Sequence, residues 1–374
     1  MKTPVGLVTA ALSAATLLAG TLALVTGTRG QNSSFESSAG QLDVQTFASG
    51  LVHPWALAFL PDGRLLVTER PGRMRLVSTE GQLSSPLKNV PEAWASGQGG
   101  LLDVVTDRNF GQNRSIFFCY AERTAGGGRT AVARARLDDA TGQLDEVKVI
   151  FRQEGPLSSG NHYGCRIAQA ADGHLFITLG EHYSYRDEAQ NLSNHLGKLI
   201  RIAPDGSAPP DNPFAGAGTG VCAVTGATTA GNHCQETFAW GLRNPFRIAP
   251  DPNATATRFY LNDVGQGVWE EVDELQSGAD FGWYCREGAH DNSTTGKCSP
   301  RPANMIDPVF EYQHGGTNVP GTTVSGCNSI TGGAFVPNGV WPAAYNGTYL
   351  LADYICGAMF RIPTTGTPAA PVTS

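Results

Sequence analysis

Residues 172–181 read Asp-Gly-His-Leu-Phe-Ile-Thr-Leu-Gly-Glu. A tight turn opens the stretch, an apolar strand follows, and an acid closes it. Asp-Gly suits the turn because Gly takes positive φ without steric cost. The same pattern recurs at Asp62-Gly63-RLLVT-Glu69, Asn113-RSIFFCYA-Glu122, TRFYLN-Asp263 and Asn346-Gly347-TYLLA-Asp353. A second strand follows several copies: RMRLVS after Glu69, KLIRIA after His195 and MFRI after Asp353. Copies begin roughly 50 to 90 residues apart, one to two blades of a β-propeller with repeats of about 40–50 residues. Residues 42–363 have room for about six such blades, so the predicted fold is an all-β, six-bladed β-propeller. A sandwich or jelly roll is the runner-up, but a single sandwich has little use for so many regular hairpins.

Composition agrees. Of 374 residues, 46 are Gly and 23 are Pro, and only 16% are charged, which favours short strands and tight turns over long helices. No G-x-G-x-x-G follows a strand and opens a helix, which disfavours a nicotinamide-binding Rossmann domain. The net charge of −7 is spread along the chain without a basic stripe, which argues against a nucleic-acid partner.

The N-terminus reads as a targeting segment. Lys2 precedes an apolar run from Val5 to about Val25. Residues 1–30 are therefore expected to be a secretory signal peptide, or a membrane anchor if uncleaved. Residues 31–41 read as a polar linker, and residues 364–374 as a Pro/Thr/Ala-rich tail. All eight cysteines lie beyond the leader, and an even count in an exported chain predicts disulfides. Cys285–Cys298 and Cys222–Cys234 would staple polar loops, and Cys327–Cys356 would tie the last blade. Cys119 and Cys165 are left to pair across blades. The expected location is periplasmic or extracellular.

Four segments stand outside the repeat. In Ser96–Asp103 (SGQGGLLD) the glycines let backbone approach a ligand, and Gln98 can donate and accept. In Ser159–Arg166 (SGNHYGCR) His162 lies among glycines, outside any apolar pattern, where it suits general-base work. In Trp240–Phe246 (WGLRNPF) Arg243 offers a permanently charged fork for a carboxylate or a developing oxyanion. In Asp263–Asp273 (DVGQGVWEEVD), followed by Asp280-Phe-Gly-Trp283, acids and loop carbonyls suit a hard cation such as calcium. Each has a plainer alternative: a glycine loop, a structural His, an Arg paired with an acid, a solvated turn.

Taken in order, these segments resemble the glucose/sorbosone dehydrogenase family of soluble quinoproteins. The resemblance rests on HPWALAFLPDGRLLVTERPGRMRLV (53–77), GQGGLLDV (97–104), GNHYGCRI (160–167), DGHLFITLGE (172–181), HLGKLIRIAPDG (195–206), DNPF (211–214), GLRNPF (241–246), DVGQGVWEEVDEL (263–275) and DFGW (280–283). It implies a six-bladed propeller that binds pyrroloquinoline quinone (PQQ), with calcium. It also implies oxidation of aldoses at the anomeric carbon to lactones, with electrons passed to an external acceptor. His162 matches the family's base, Arg243 the residue at the quinone oxygens, with Asn244 beside it, and Gln98 a cofactor contact. Gly265 and Gln266 fall where loop carbonyls hold calcium. Glu181 stands where the family usually has Asp. Two departures are visible. The stretch Leu350–Ala358 has no Lys or Arg where glucose-oxidising members bind the PQQ carboxylates. The chain also ends early, so the last blade is expected to be incomplete or closed differently. A non-catalytic glycan- or protein-binding propeller is one alternative. A calcium-dependent lactonase built on Glu69, Glu181, Asp263 and Asp353 is another.

Overall fold

The computed structural model describes residues 33–37, 40–155, 157–216, 219–226, 231–364 and 372–373. The leader, and most of the tail, lie outside them. Five radial sheets follow one another along the chain, each an antiparallel meander. Blade 1 is three-stranded (Pro54–Phe59, Leu65–Glu69, Arg73–Val77), and blades 2 to 5 have four strands each. They open at Leu101–Thr106, Ile167–Gln169, Pro245–Pro250 and Ile330–Phe335. First strands of successive blades touch one another. The fold is an all-β propeller.

Burial on both faces explains the strand sequences. Side chains alternate between faces, so adjacent residues serve different cores. Phe118 packs between blades 1 and 2, and Phe117 between blades 2 and 3. Ile177 packs between blades 2 and 3, and Phe176 between blades 3 and 4. Tyr260 and Tyr349 fill the core between blades 4 and 5. Strands buried this way read as nearly continuous apolar runs, which is what LFITL at 175–179 is.

The count of six blades is not what the described residues form; they form five. The difference lies in how length is spent. Blade 2 uses strands of nine, eleven and ten residues. Long insertions also separate the third and fourth strands of blade 3 (203–236) and of blade 4 (275–309). Disulfides Cys222–Cys234 and Cys285–Cys298 close loops within those two insertions. Blade 1 leaves one face open, with Leu57 and Phe59 exposed at 51% and 73%. In the last blade Val372–Thr373 of the tail pairs with Met359–Pro363 as a short fourth strand. In the linker, Ser33–Ser37 pairs with Gly40–Val44 in a largely exposed ladder.

Cys327–Cys356 ties the last blade, and Cys119–Cys165 joins blade 2 to the segment entering blade 3. Four disulfides mark a chain that folds in an oxidising compartment, as exported proteins do. No helix among the described residues is long and apolar enough to cross a membrane.

Candidate active site

The segments between blades converge on a cavity of about 490 Å³. Gln98, His162, Arg243, Asn244 and Gly265 line it, together with Arg70, Trp55 and Phe246. Five of the seven residues singled out from the sequence therefore meet there. Glu181 and Gln266 line an adjoining polar cleft, which shares Arg243 with the cavity.

His162 is held by both backbone and side chain. Its φ of 53° is left-handed, a conformation costly for a residue with a Cβ. Its N–H donates to Gln98 Oε1 at 2.8 Å, and the Gln98 N–H donates to Gly160 O at 2.8 Å. Gly180 supplies the space: a Cβ there would lie 2.1 Å from His162 O. Cys165, three residues on, is anchored to Cys119.

The His162 ring is buried, and its Nδ1 lies 2.9 Å from Glu181 Oε1. A carboxylate accepts only, so Nδ1 carries the proton and Nε2 keeps its lone pair. Burial lowers the imidazole pKa from its ordinary value of 6.5; the Glu181 hydrogen bond opposes this, and the Arg243 charge lowers it further. Tyr183, 60% exposed, stands edge-on to the ring with centroids 5.3 Å apart.

Arg243 and Asn244 are fixed by one acid. Asp263 accepts from the Arg243 N–H at 2.7 Å and the Asn244 N–H at 2.6 Å. Burial raises Asp263 to about 7, against the pull of those two N–H groups. The Arg243 Nη1 donates to Val264 O at 2.8 Å, and the guanidinium sits 5.6 Å from the Trp283 ring. Its Nε is buried without a partner. Arg243 also accepts, through its carbonyl, the Glu181 N–H at 2.9 Å, which couples the base's partner to the arginine segment.

Among the described residues, Glu69 and Asp353 do not gather into one cluster with Glu181 and Asp263. Glu69 binds Arg73 at 2.7 Å and accepts from the Val52 N–H. Asp353 accepts from the Tyr312 hydroxyl and from the N–H groups of Ser329, Ile355 and Cys356. They are engaged locally, the plainer of their two readings.

Around Gly265 and Gln266, Glu287 Oε1 gathers the N–H groups of Gln266, Gly267, Val268 and Trp269. On the strand that follows, Glu271 Oε2 and both carboxylate oxygens of Asp273 are buried with no hydrogen-bond partner. Burial, and then the charge of neighbouring acids such as Asp263 and Glu311, hold both acids well above the ordinary carboxylate range. Oxygens of this kind fit a hard cation.

A family profile described as Glucose / Sorbosone dehydrogenase matches residues 51–338. Aldose sugar dehydrogenase YliI of Escherichia coli (strain K12) is 38% identical over 254 residues, covering 67% of this chain and 64% of that protein. Among solved structures, the apo form of the soluble aldose sugar dehydrogenase from Escherichia coli superposes with a TM-score of 0.72 at 31% identity, over 87% of this chain and 88% of that one. The PQQ-bound form of aldose sugar dehydrogenase from Streptomyces coelicolor gives 0.67 at 25% identity, over 92% of this chain and 86% of that one. With the profile matched over most of its length, the chain belongs to the glucose/sorbosone dehydrogenase family.

Proposed function

We propose that this chain is an exported quinoprotein sugar dehydrogenase that oxidises aldoses at the anomeric carbon to lactones. The observation that carries the reading is the buried His162–Glu181 pair facing a cavity that also holds Gln98 and Arg243. A binding module has no evident need for a buried imidazole with its Nε2 free.

The residues fit PQQ. Trp55 and Phe246 give the cavity flat apolar walls, and Arg243, whose Nε is buried without a partner, lines it with a permanent positive charge suited to an anionic ligand. Gln98, Arg243 and Asn244 would hold the cofactor. When bound, PQQ supplies an electron-poor quinone carbonyl that accepts hydride from the sugar. His162 Nε2 takes the proton from the anomeric hydroxyl as the C1–H bond breaks and the C1=O bond forms. Glu181 keeps the imidazole oriented and stabilises its charge once protonated. The Arg243 guanidinium stabilises negative charge developing in the cavity. Calcium would be held by the Gly265 and Gln266 carbonyls, and Glu271 and Asp273 on the following strand offer further buried, unpartnered oxygens. An external acceptor in the periplasm or extracellular space would take the electrons.

Reconstitution with PQQ and calcium, followed by dye reduction over an aldose panel, tests this reading. Aldose-dependent reduction with lactone as product supports it. A protein that takes up no PQQ would instead be a binding propeller.

A further inference from the structure

Arg70 was not among the residues that the sequence pointed to, yet it lines the cavity with Gln98, His162 and Arg243. It follows Glu69 at the end of the first hairpin of blade 1. Its Nη1 donates to Gly97 O at 2.8 Å and to Gly99 O at 2.9 Å. Its carbonyl accepts the Leu101 N–H at 2.9 Å. Gly100 has a φ of 146°, and a Cβ there would lie 2.2 Å from Arg70 O and 2.6 Å from its Cγ. The glycine-rich loop is thus shaped around this arginine and fixes its guanidinium.

The charge balance of the cavity is one-sided. Its lining holds two arginines and no Asp or Glu. Among the described residues neither Arg70 nor Arg243 has an ion-pair partner, whereas the nearby Arg73 and Arg75 both reach Glu69. Two unpaired guanidinium groups facing one cavity with aromatic walls call for a flat ligand carrying more than one negative charge. The Leu350–Ala358 stretch brings no cation to this cavity; blade 1 does.

We propose that Arg70 is the second cationic anchor of the cavity, binding a carboxylate of the planar aromatic anion that Arg243 also contacts. This rests on the cofactor reading above, in which the anion is PQQ, a tricarboxylate. Arg70 is then a binding residue with no part in proton transfer.

The test is affinity rather than turnover. Arg70→Gln keeps an amide donor on a shorter side chain and removes the charge; Arg70→Lys keeps the charge and loses the fork. Quenching of tryptophan fluorescence would be titrated with PQQ and with its trimethyl ester, with thermal unfolding confirming that each variant is folded. Arg70→Gln is expected to weaken PQQ about tenfold or more, Arg70→Lys less, and the ester by no more than about twofold, since only the acid forms a charge-assisted pair. Equal PQQ affinity in the Gln variant and the unmodified protein would overturn the anchor while leaving the cofactor reading intact. So would equal weakening of PQQ and ester, which would make Arg70 a brace for the loop. Failure of the unmodified protein to bind PQQ would overturn the cofactor reading, and the anchor with it.

Discussion

His162 Nδ1 and Glu181 Oε1 lie 2.9 Å apart, and both side chains are buried. Glu stands here where the resembling family usually has Asp, and its longer side chain still reaches the ring. Because the carboxylate can only accept, it selects the tautomer with Nε2 free. Glu181→Gln offers an amide N–H that can hold the ring in the opposite tautomer. That substitution is expected to lower kcat by about 10²-fold with a smaller change in KM. Steady-state kinetics on a reconstituted variant checks it, and an unchanged kcat would remove Glu181 from the site's working parts.

The same pair sets the pH profile. Burial lowers the His162 pKa from its ordinary value of 6.5. The acid limb of kcat/KM in the free enzyme should therefore have its midpoint below 6.5. A midpoint above that value would mean that another group is the base.

Gly180→Ala places a Cβ where it meets His162 O at 2.1 Å. The backbone carrying the base has to shift. A displacement near 1 Å can cost about 10²-fold in rate, so a large loss of kcat is expected from one methyl group that touches no ligand. Kinetics beside a thermal melt separates this from unfolding; a melt near that of the unmodified protein with normal kcat would contradict the account of the His162 turn.

Asp273 is raised well above 3.8 by burial and by neighbouring acids. A raised carboxyl holds its proton more tightly folded than unfolded. Its stabilising contribution is present below 3.8 and is lost as pH rises through the folded value. In metal-free buffer Asp273→Asn should therefore gain in Tm over the unmodified protein as pH rises. Added calcium should raise the Tm of the unmodified protein and do little for the variant. A calcium response of equal size in both would place any cation elsewhere.

Much of this was legible in the sequence because the signals are local. The turn-strand-acid copies gave the hairpins, and His162 among glycines, Arg243 before Asn244 and Gln98 in its loop all line one cavity. Pairing of all eight cysteines follows the expected pattern, including Cys119 with Cys165 across blades. What was missed depends on distant partners. Blade number could not be read from length, because insertions at 203–236 and 275–309 use residues without making blades. Arg70 sits in an ordinary hairpin end, and only the fold brings it to Gly97 and Gly99. Nothing local in Glu287 announces that it closes the Gln266–Trp269 turn.

The most direct measurement compares the unmodified protein with His162→Ala, both loaded with PQQ and calcium, in aldose oxidation with the lactone identified. The unmodified protein should turn over. The variant should retain PQQ yet lose about 10²–10⁴-fold in kcat, the range for a positioned acid–base group. An unreduced rate in His162→Ala would contradict the account.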